Sequence, residues 1–273
     1  MSNILKAACV QMNSGPVIEE NLKAAGAFVR AAAAEGAQLI VTPENTCHIR
    51  ASGEKKLASA QPEETHPALP FFAALAKELG VWILVGSIAV KISEKQVANR
   101  SLLFSAAGEL VAAYDKIHMF DVDLPTGESH RESETVRPGD KAVVAGTPWG
   151  GLGLSICYDL RFPRLYADLA KAGAVLLATP AAFTVPTGRA HWEILQRARA
   201  IETGSFVLAA AQTGEYEGGG RTYGHSMIVG PWGEVLAQAG EETGFITAEL
   251  DITAVQKART AIPALQHDCD YAF

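Results

Sequence analysis

The stretch Gly153-Leu154-Ser155-Ile156-Cys157-Tyr158-Asp159-Leu160-Arg161-Phe162-Pro163 changes character at its middle. Residues 152–156 have the length and composition of a buried strand, whereas Tyr158-Asp159-Leu160-Arg161 cannot extend it without burying charge. Pro163 followed by residues 164–172 reads as the start of a helix, so Cys157 is predicted at a strand-to-helix turn. A thiol there is expected to be exposed and close to backbone N–H groups that favour its thiolate. A free cysteine is by itself more often a small core hydrophobe, so the case for chemistry has to come from the rest of the chain.

Working outward, residues 142–146 form the preceding strand, with a turn at Thr147-Pro148-Trp149-Gly150. The glycines of Gly150-Gly151-Leu152-Gly153 lead into a strand rather than a helix, which excludes a phosphate cradle. Downstream come a strand at 174–180, a loop at 184–188, a helix from about Arg189 to Glu202 and a buried strand at 206–211. Glu217-Gly218-Gly219-Gly220 reads as a rim loop, and 223–229, 235–238 and 245–250 complete a second group of strands.

The first half has the same alternation. A strand at 4–10 precedes an amphipathic helix at 17–34, and a short strand at 38–41 stops at Pro43. Residues 50–65 are polar and irregular, 67–79 return to helical spacing closed by Gly80, and strands at 81–90, 100–105 and 110–114 follow as antiparallel neighbours. The long aperiodic stretch 121–141, with aromatic, proline and charged residues interleaved, fits an ordered functional loop. Alternating strands and helices in both halves predict an α/β protein with a pair of sheets flanked by helices, as one unit over residues 1–273.

At 273 residues and 48% hydrophobic content the chain can bury a large core without covalent staples. A net charge of -7 argues against binding nucleic acid or an acidic membrane surface. Cys9, Cys47, Cys157 and Cys269 lack the close pairs of a zinc or dithiol centre, and His118 and His130 lack ligand spacing, so no metal is expected. With neither a cationic leader nor a membrane-length apolar run, the expectation is a protein of the reducing cytoplasm.

Glu44, Lys116 and Cys157 are each the first reactive side chain after an apolar strand, and ligands of open α/β sheets gather at such strand ends. A thiol needs a base, which a desolvated carboxylate can be, and the oxyanion formed on attack needs a cation or N–H donors. The arrangement resembles the nitrilase superfamily of carbon–nitrogen hydrolases. The resemblance rests on Thr42-Pro43-Glu44-Asn45, Tyr114-Asp115-Lys116-Ile117-His118 and Ile156-Cys157-Tyr158-Asp159-Leu160-Arg161-Phe162-Pro163. It extends over nearly the whole chain through 188–193, 197–202 and Tyr223-Gly224-His225-Ser226-Met227.

The resemblance implies a four-layer α-β-β-α sandwich that forms homodimers and uses neither metal nor organic cofactor. It implies Glu44 as general base, Lys116 as oxyanion stabiliser and Cys157 as nucleophile. A second glutamate near them is assigned to Glu132, with Glu128 as the competing choice. The expected reaction splits a small-molecule carboxamide to acid and ammonia through a cysteine thioester. Phe120-Asp121-Val122, Arg131-Glu132-Ser133 and 223–227 look most like the deaminated glutathione amidases; omega-amidases acting on 2-oxoglutaramate and N-carbamoyl amino acid amidohydrolases are the alternatives.

Around these residues, the Tyr158 N–H is expected at the oxyanion, and Phe183 and His225 are expected to line the pocket. Arg161 is equally suited to a substrate carboxylate and to an ion pair with Asp159, while Trp192 suits packing or a dimer contact. Two rival readings remain: a Cys–His hydrolase using His225 or His191, and a non-enzymatic dimeric scaffold with an inert thiol.

Overall fold

Along Ile4–Gln11, Leu5, Ala7 and Cys9 face one hydrophobic core while Ala8 and Val10 face another. A strand buried on both faces has no polar side, which is why its sequence reads as a continuous apolar run. The computed structural model describes residues 3–50, 52–125 and 127–272. In it this strand lies inside a six-stranded sheet of order Gly244–Asp251, Ile4–Gln11, Leu39–Val41, Trp82–Lys91, Val97–Phe104, Leu110–Asp115. Ile4–Gln11, Leu39–Val41 and Trp82–Lys91 are mutually parallel and the remaining pairings are antiparallel.

The second six-stranded sheet runs Val235–Gln238, Met227–Val229, Phe206–Ala209, Ala174–Ala178, Gly150–Leu154, Val143–Thr147, with Phe206–Ala209, Ala174–Ala178 and Gly150–Leu154 parallel. Leu5, Leu39 and Leu84 of the first sheet share a core with Leu152, Leu176 and Val207 of the second. Helices Ile18–Ala34 and Ala68–Leu79 cover the outer face of the first sheet through Leu22, Val29, Phe72 and Leu75. Helices Pro163–Lys171 and Val185–Thr203 cover the second through Leu165, Leu169 and Trp192. The result is the expected four-layer α-β-β-α sandwich.

Several local expectations are corrected. The last strand does not join the second group: Gly244–Asp251 pairs antiparallel with Ile4–Gln11, from Ile4 opposite Asp251 to Gln11 opposite Gly244. Its Ile246, Ala248 and Leu250 add to the core between the sheets and Phe245 to the outer one. The expected strand at 223–229 divides into Arg221–Tyr223 and Met227–Val229, because Gly224 and His225 take φ of 72° and 59° and break the extended backbone. The loop at 184–188 is instead the first turn of Val185–Thr203, where Pro186 loses no hydrogen bond. Gly188 meets Tyr223 so closely there that a Cβ would lie 2.2 Å from the ring.

Residues 50–65, read as irregular, hold the helix Gly53–Ser59 and a single turn at Glu63–Thr65. Ser52 caps the helix, its Oγ accepting from the Lys55 N–H at 3.3 Å. No residue of that helix is buried, so it leaves no apolar period to read. In the stretch 121–141 the described residues form a hairpin of Asp121–Asp123 and Ser129–Arg131 followed by a turn at Glu132–Glu134. No helix among the described residues is long and apolar enough to cross a membrane.

Candidate active site

Leu110–Asp115 is antiparallel to Val97–Phe104, which is antiparallel to Trp82–Lys91, so it runs in the same direction as Leu39–Val41. Glu44 and Lys116 therefore leave the sheet at the same end. Gly86 makes room for the turn that carries Glu44, since a Cβ there would lie 2.0 Å from the Thr42 carbonyl oxygen. Glu44 is buried and fully engaged: Oε2 accepts from the Ala182 N–H at 2.9 Å, and Oε1 accepts from Asn99 Nδ2 at 2.9 Å and Lys116 Nζ at 3.3 Å.

Lys116 Nζ also donates to Glu132, at 3.0 Å to Oε1 and 2.7 Å to Oε2, while Glu132 Oε2 accepts from the Phe120 N–H at 2.8 Å. Burial opposes the ammonium charge, but the Glu132 and Glu44 carboxylates outweigh it and hold Lys116 well above the ordinary lysine pKa. Burial likewise opposes the Glu132 carboxylate, and Lys116, with help from Lys56, overcomes it and holds that carboxyl below its usual range. Glu132 is thus the second glutamate at the lysine, whereas Glu128 is exposed, 3.7 Å from His130.

Cys157 opens the turn Cys157–Arg161 with φ of 50°, and its N–H donates to the Pro180 carbonyl at 2.9 Å. The expectation of an exposed, thiolate-favouring cysteine is corrected here: the residue is 8% exposed. Its pKa is pushed well above the ordinary thiol value, by burial first and then by the Glu44 carboxylate, which together outweigh Lys116 and the Ala182 N–H. Burial and the Glu44 carboxylate thus keep the resting sulfur a thiol. Alkylation of Cys157 by iodoacetamide, followed by mass spectrometry, is accordingly expected to keep accelerating as pH rises through the ordinary thiol range; a plateau near neutrality would indicate a thiolate instead.

The turn is anchored by Asp159, which is fully buried and accepts from the Ile156 N–H at 2.8 Å, Tyr114 Oη at 2.6 Å and the His118 N–H at 3.0 Å. These bonds tie the turn bearing Cys157 to the segment carrying Lys116. They also remove Asp159 as a partner for Arg161, whose guanidinium lies 5.5 Å from the Phe183 ring and 5.9 Å from the Tyr158 ring, with Nη1 3.2 Å from His191 Nδ1. The Tyr158 N–H, in the first turn of that short helix, has no backbone acceptor among the described residues.

A cavity of about 360 Å³ brings together Glu44, Lys116, Glu132, Cys157, Tyr158, Arg161 and Phe183. That size suits a small organic ligand. His225 is not part of its wall. That ring stacks on Tyr223 at 4.1 Å with Nδ1 2.8 Å from the Tyr223 carbonyl, and the strained φ of His225 turns it away from the expected place. His191 is also outside the wall, so neither histidine named for the Cys–His reading reaches the cavity. Trp192 is packed as expected, with Nε1 donating to the His225 carbonyl at 2.7 Å. No group of three metal-ligating side chains occurs among the described residues.

Asn99 escaped the sequence reading. Its Nδ2 bridges Glu44 Oε1 at 2.9 Å and Glu132 Oε1 at 3.4 Å, so one amide links both carboxylates that hold the lysine. Its only signal was an amide beside Arg100 and Ser101 in the polar middle of the strand Val97–Phe104, which does not set it apart from its neighbours. Gln212 was missed as well, a lone amide just past the apolar run 206–211; its Nε2 donates to the Glu44 carbonyl at 2.9 Å and fixes the backbone under the carboxylate.

The carbon–nitrogen hydrolase family pattern matches residues 6–260. The chain is 43% identical over 236 residues to a deaminated glutathione amidase of Yersinia enterocolitica, covering 85% of this chain and 82% of that one. It is 39% identical over 257 residues to an omega-amidase of Xenopus tropicalis, covering 93% and 91%. The fold superposes on the crystal structure of the C. elegans NitFhit protein with a TM-score of 0.91 and 36% identity, covering 98% of this chain and 65% of that longer one. Likeness of this extent, on a sandwich whose buried lysine and cysteine share one cavity, makes the chain a member of the carbon–nitrogen hydrolase family, within the nitrilase superfamily.

Proposed function

We propose that the chain hydrolyses a small-molecule amide through a thioester on Cys157, with deaminated glutathione as its substrate. The observation that carries the reading is the Lys116 ammonium held between Glu44 and Glu132 in the cavity that also contains the Cys157 thiol. Cys157 Sγ attacks the amide carbon while its proton passes to Glu44. The oxyanion is stabilised by Lys116 Nζ and the Tyr158 N–H. Glu44 then gives its proton to the departing nitrogen as the C–N bond breaks. In the second half Glu44 takes a proton from water, the hydroxide displaces sulfur from the acyl carbon, and Glu44 returns the proton to Sγ. Glu132 keeps Lys116 charged and in place, and Arg161 holds a carboxylate of the acyl group.

The substrate follows from the relatives, several of which are named deaminated glutathione amidase and one omega-amidase. The leaving group differs from the acid-and-ammonia expectation. A primary carboxamide such as 2-oxoglutaramate releases ammonia, but the amides of deaminated glutathione are secondary and release an amine. The test is an assay that follows both products across deaminated glutathione, 2-oxoglutaramate, N-carbamoyl amino acids and simple nitriles. Fastest release of the peptide amine from deaminated glutathione is expected; turnover of only the last two compounds would overturn the substrate.

The same reading takes residues 1–273 as one catalytic unit that works as a homodimer in the reducing cytoplasm. Pairing of the first and last strands supports a single unit. Ile194, Ile201 and Trp232 are 69%, 55% and 60% exposed, and the Arg197 Nε bond to the Gly233 carbonyl brings the turn bearing Trp232 beside the helix that carries both isoleucines. An apolar patch of this kind suits a second copy.

A further inference from the structure

The protein carries a net charge of -7, yet its cavity has surplus cations. Among the charged groups of the wall, Lys116 is matched by Glu44 and Glu132, Arg131 by Asp123 and Arg50 by Glu217. Lys56 and Arg161 alone among the wall's cations have no carboxylate within ion-pair distance among the described residues. Both are half-buried, so each gives up part of its hydration without a direct ion pair in return, Lys56 reaching Glu132 only through its longer-range field. Two such cations in one cavity of an acidic protein suit a ligand with two acid groups.

The two cations come from different layers. Arg161 belongs to the same short turn as Cys157, following a strand of the second sheet, so a group it holds remains beside the nucleophile while the acyl chain is on sulfur. Lys56 belongs to the helix Gly53–Ser59, which packs on Trp82–Lys91 of the first sheet and begins next to the exposed Ser52. A group held by Lys56 has no tie to the nucleophile's turn and can leave when the C–N bond breaks. We propose that Lys56 binds a carboxylate on the leaving amine, the free acid end of a peptide-like leaving group. This inference rests on the substrate reading above. It adds that the enzyme recognises both ends of its substrate, one acid on each side of the scissile amide. It also separates such substrates from primary amides, whose leaving ammonia offers Lys56 nothing.

The experiment compares deaminated glutathione with its C-terminal N-methylamide, in the wild type and in Lys56→Met, Lys56→Glu and Lys56→Arg. The readout is the ratio of the two kcat/KM values. The wild type is expected to prefer the free acid about tenfold, corresponding to about 1.4 kcal/mol. Lys56→Met should abolish the preference, Lys56→Glu reverse it and Lys56→Arg retain it. A Lys56→Met protein that loses rate equally on both compounds would show Lys56 acting only through its field on Glu132, and would overturn the subsite. A wild type that turns over both compounds without preference overturns it too. No turnover of either compound by the wild type overturns the substrate reading itself, and the subsite with it.

Discussion

Glu44→Gln is expected to lower kcat/KM for amide hydrolysis about a thousandfold. Two causes act together. The amide of glutamine has no basicity to accept the Cys157 proton, and that proton must leave a sulfur whose burial and surroundings keep it protonated at neutral pH. The variant also loses the carboxylate charge that helps to hold Lys116 as a cation. Both oxygens of Glu44 accept from N–H donors, so one end of the glutamine must set an NH2 against Ala182 N–H or against Lys116 and Asn99. That mismatch should lower stability by about 1–3 kcal/mol. Activity assays alongside urea unfolding separate the two effects: a folded protein with the rate loss supports the base, and a folded variant with full activity would remove Glu44 from the mechanism.

Lys116→Met should lower kcat by about a hundredfold to a thousandfold through the lost oxyanion partner, and should be the more destabilising of the two variants, by about 3–5 kcal/mol. Removing the ammonium leaves Glu44 and Glu132 facing the same buried site without their shared cation. The pH dependence is expected to change sign. In the wild type the Glu132 carboxyl is held below its ordinary value, so it contributes stability above that value and loses the contribution as pH falls through the lowered pKa. Lys116, held above its ordinary value, stabilises the fold below it and loses that contribution only as pH rises through the raised pKa. Without Lys116, burial and the neighbouring Glu44 raise the Glu132 pKa, and the variant should gain stability on going from about pH 7 to about pH 5, where the wild type does not. Unfolding free energies at the two pH values decide it; parallel behaviour of the two proteins would show that Lys116 is not what controls the Glu132 carboxyl.

Glu44, Lys116 and Cys157 were legible because each lies within three residues of the end of an apolar run, and a charged or nucleophilic side chain near a strand exit is a local pattern. The layers were legible for a similar reason: strands buried on both faces and helices with one apolar stripe each leave their own period in the sequence. The helix Gly53–Ser59 left none, having nothing buried, and it is the element that carries Lys56. Asn99, beside Arg100 and Ser101, and Gln212, just past an apolar run, looked like ordinary polar residues. Their roles depend on the carboxylate they meet across the fold.

Taken alone, the chain's sequence pointed to paired sheets flanked by helices and, through its family resemblance, to the four-layer sandwich and to Glu44, Lys116 and Cys157 as the groups gathered on one rim. Tertiary structure decided the pairings and the protonation states. It gave Asp159 to Tyr114, Ile156 and His118, leaving Arg161 open to the cavity, and it turned His225 toward Tyr223. It joined the last strand to the first and buried Cys157 against Glu44, so that the sulfur rests as a thiol instead of the thiolate its turn suggested. The reason is one of range. Strand and helix periods are set by neighbours along the chain, whereas desolvation and Coulomb fields are set by whatever the fold brings within a few ångströms.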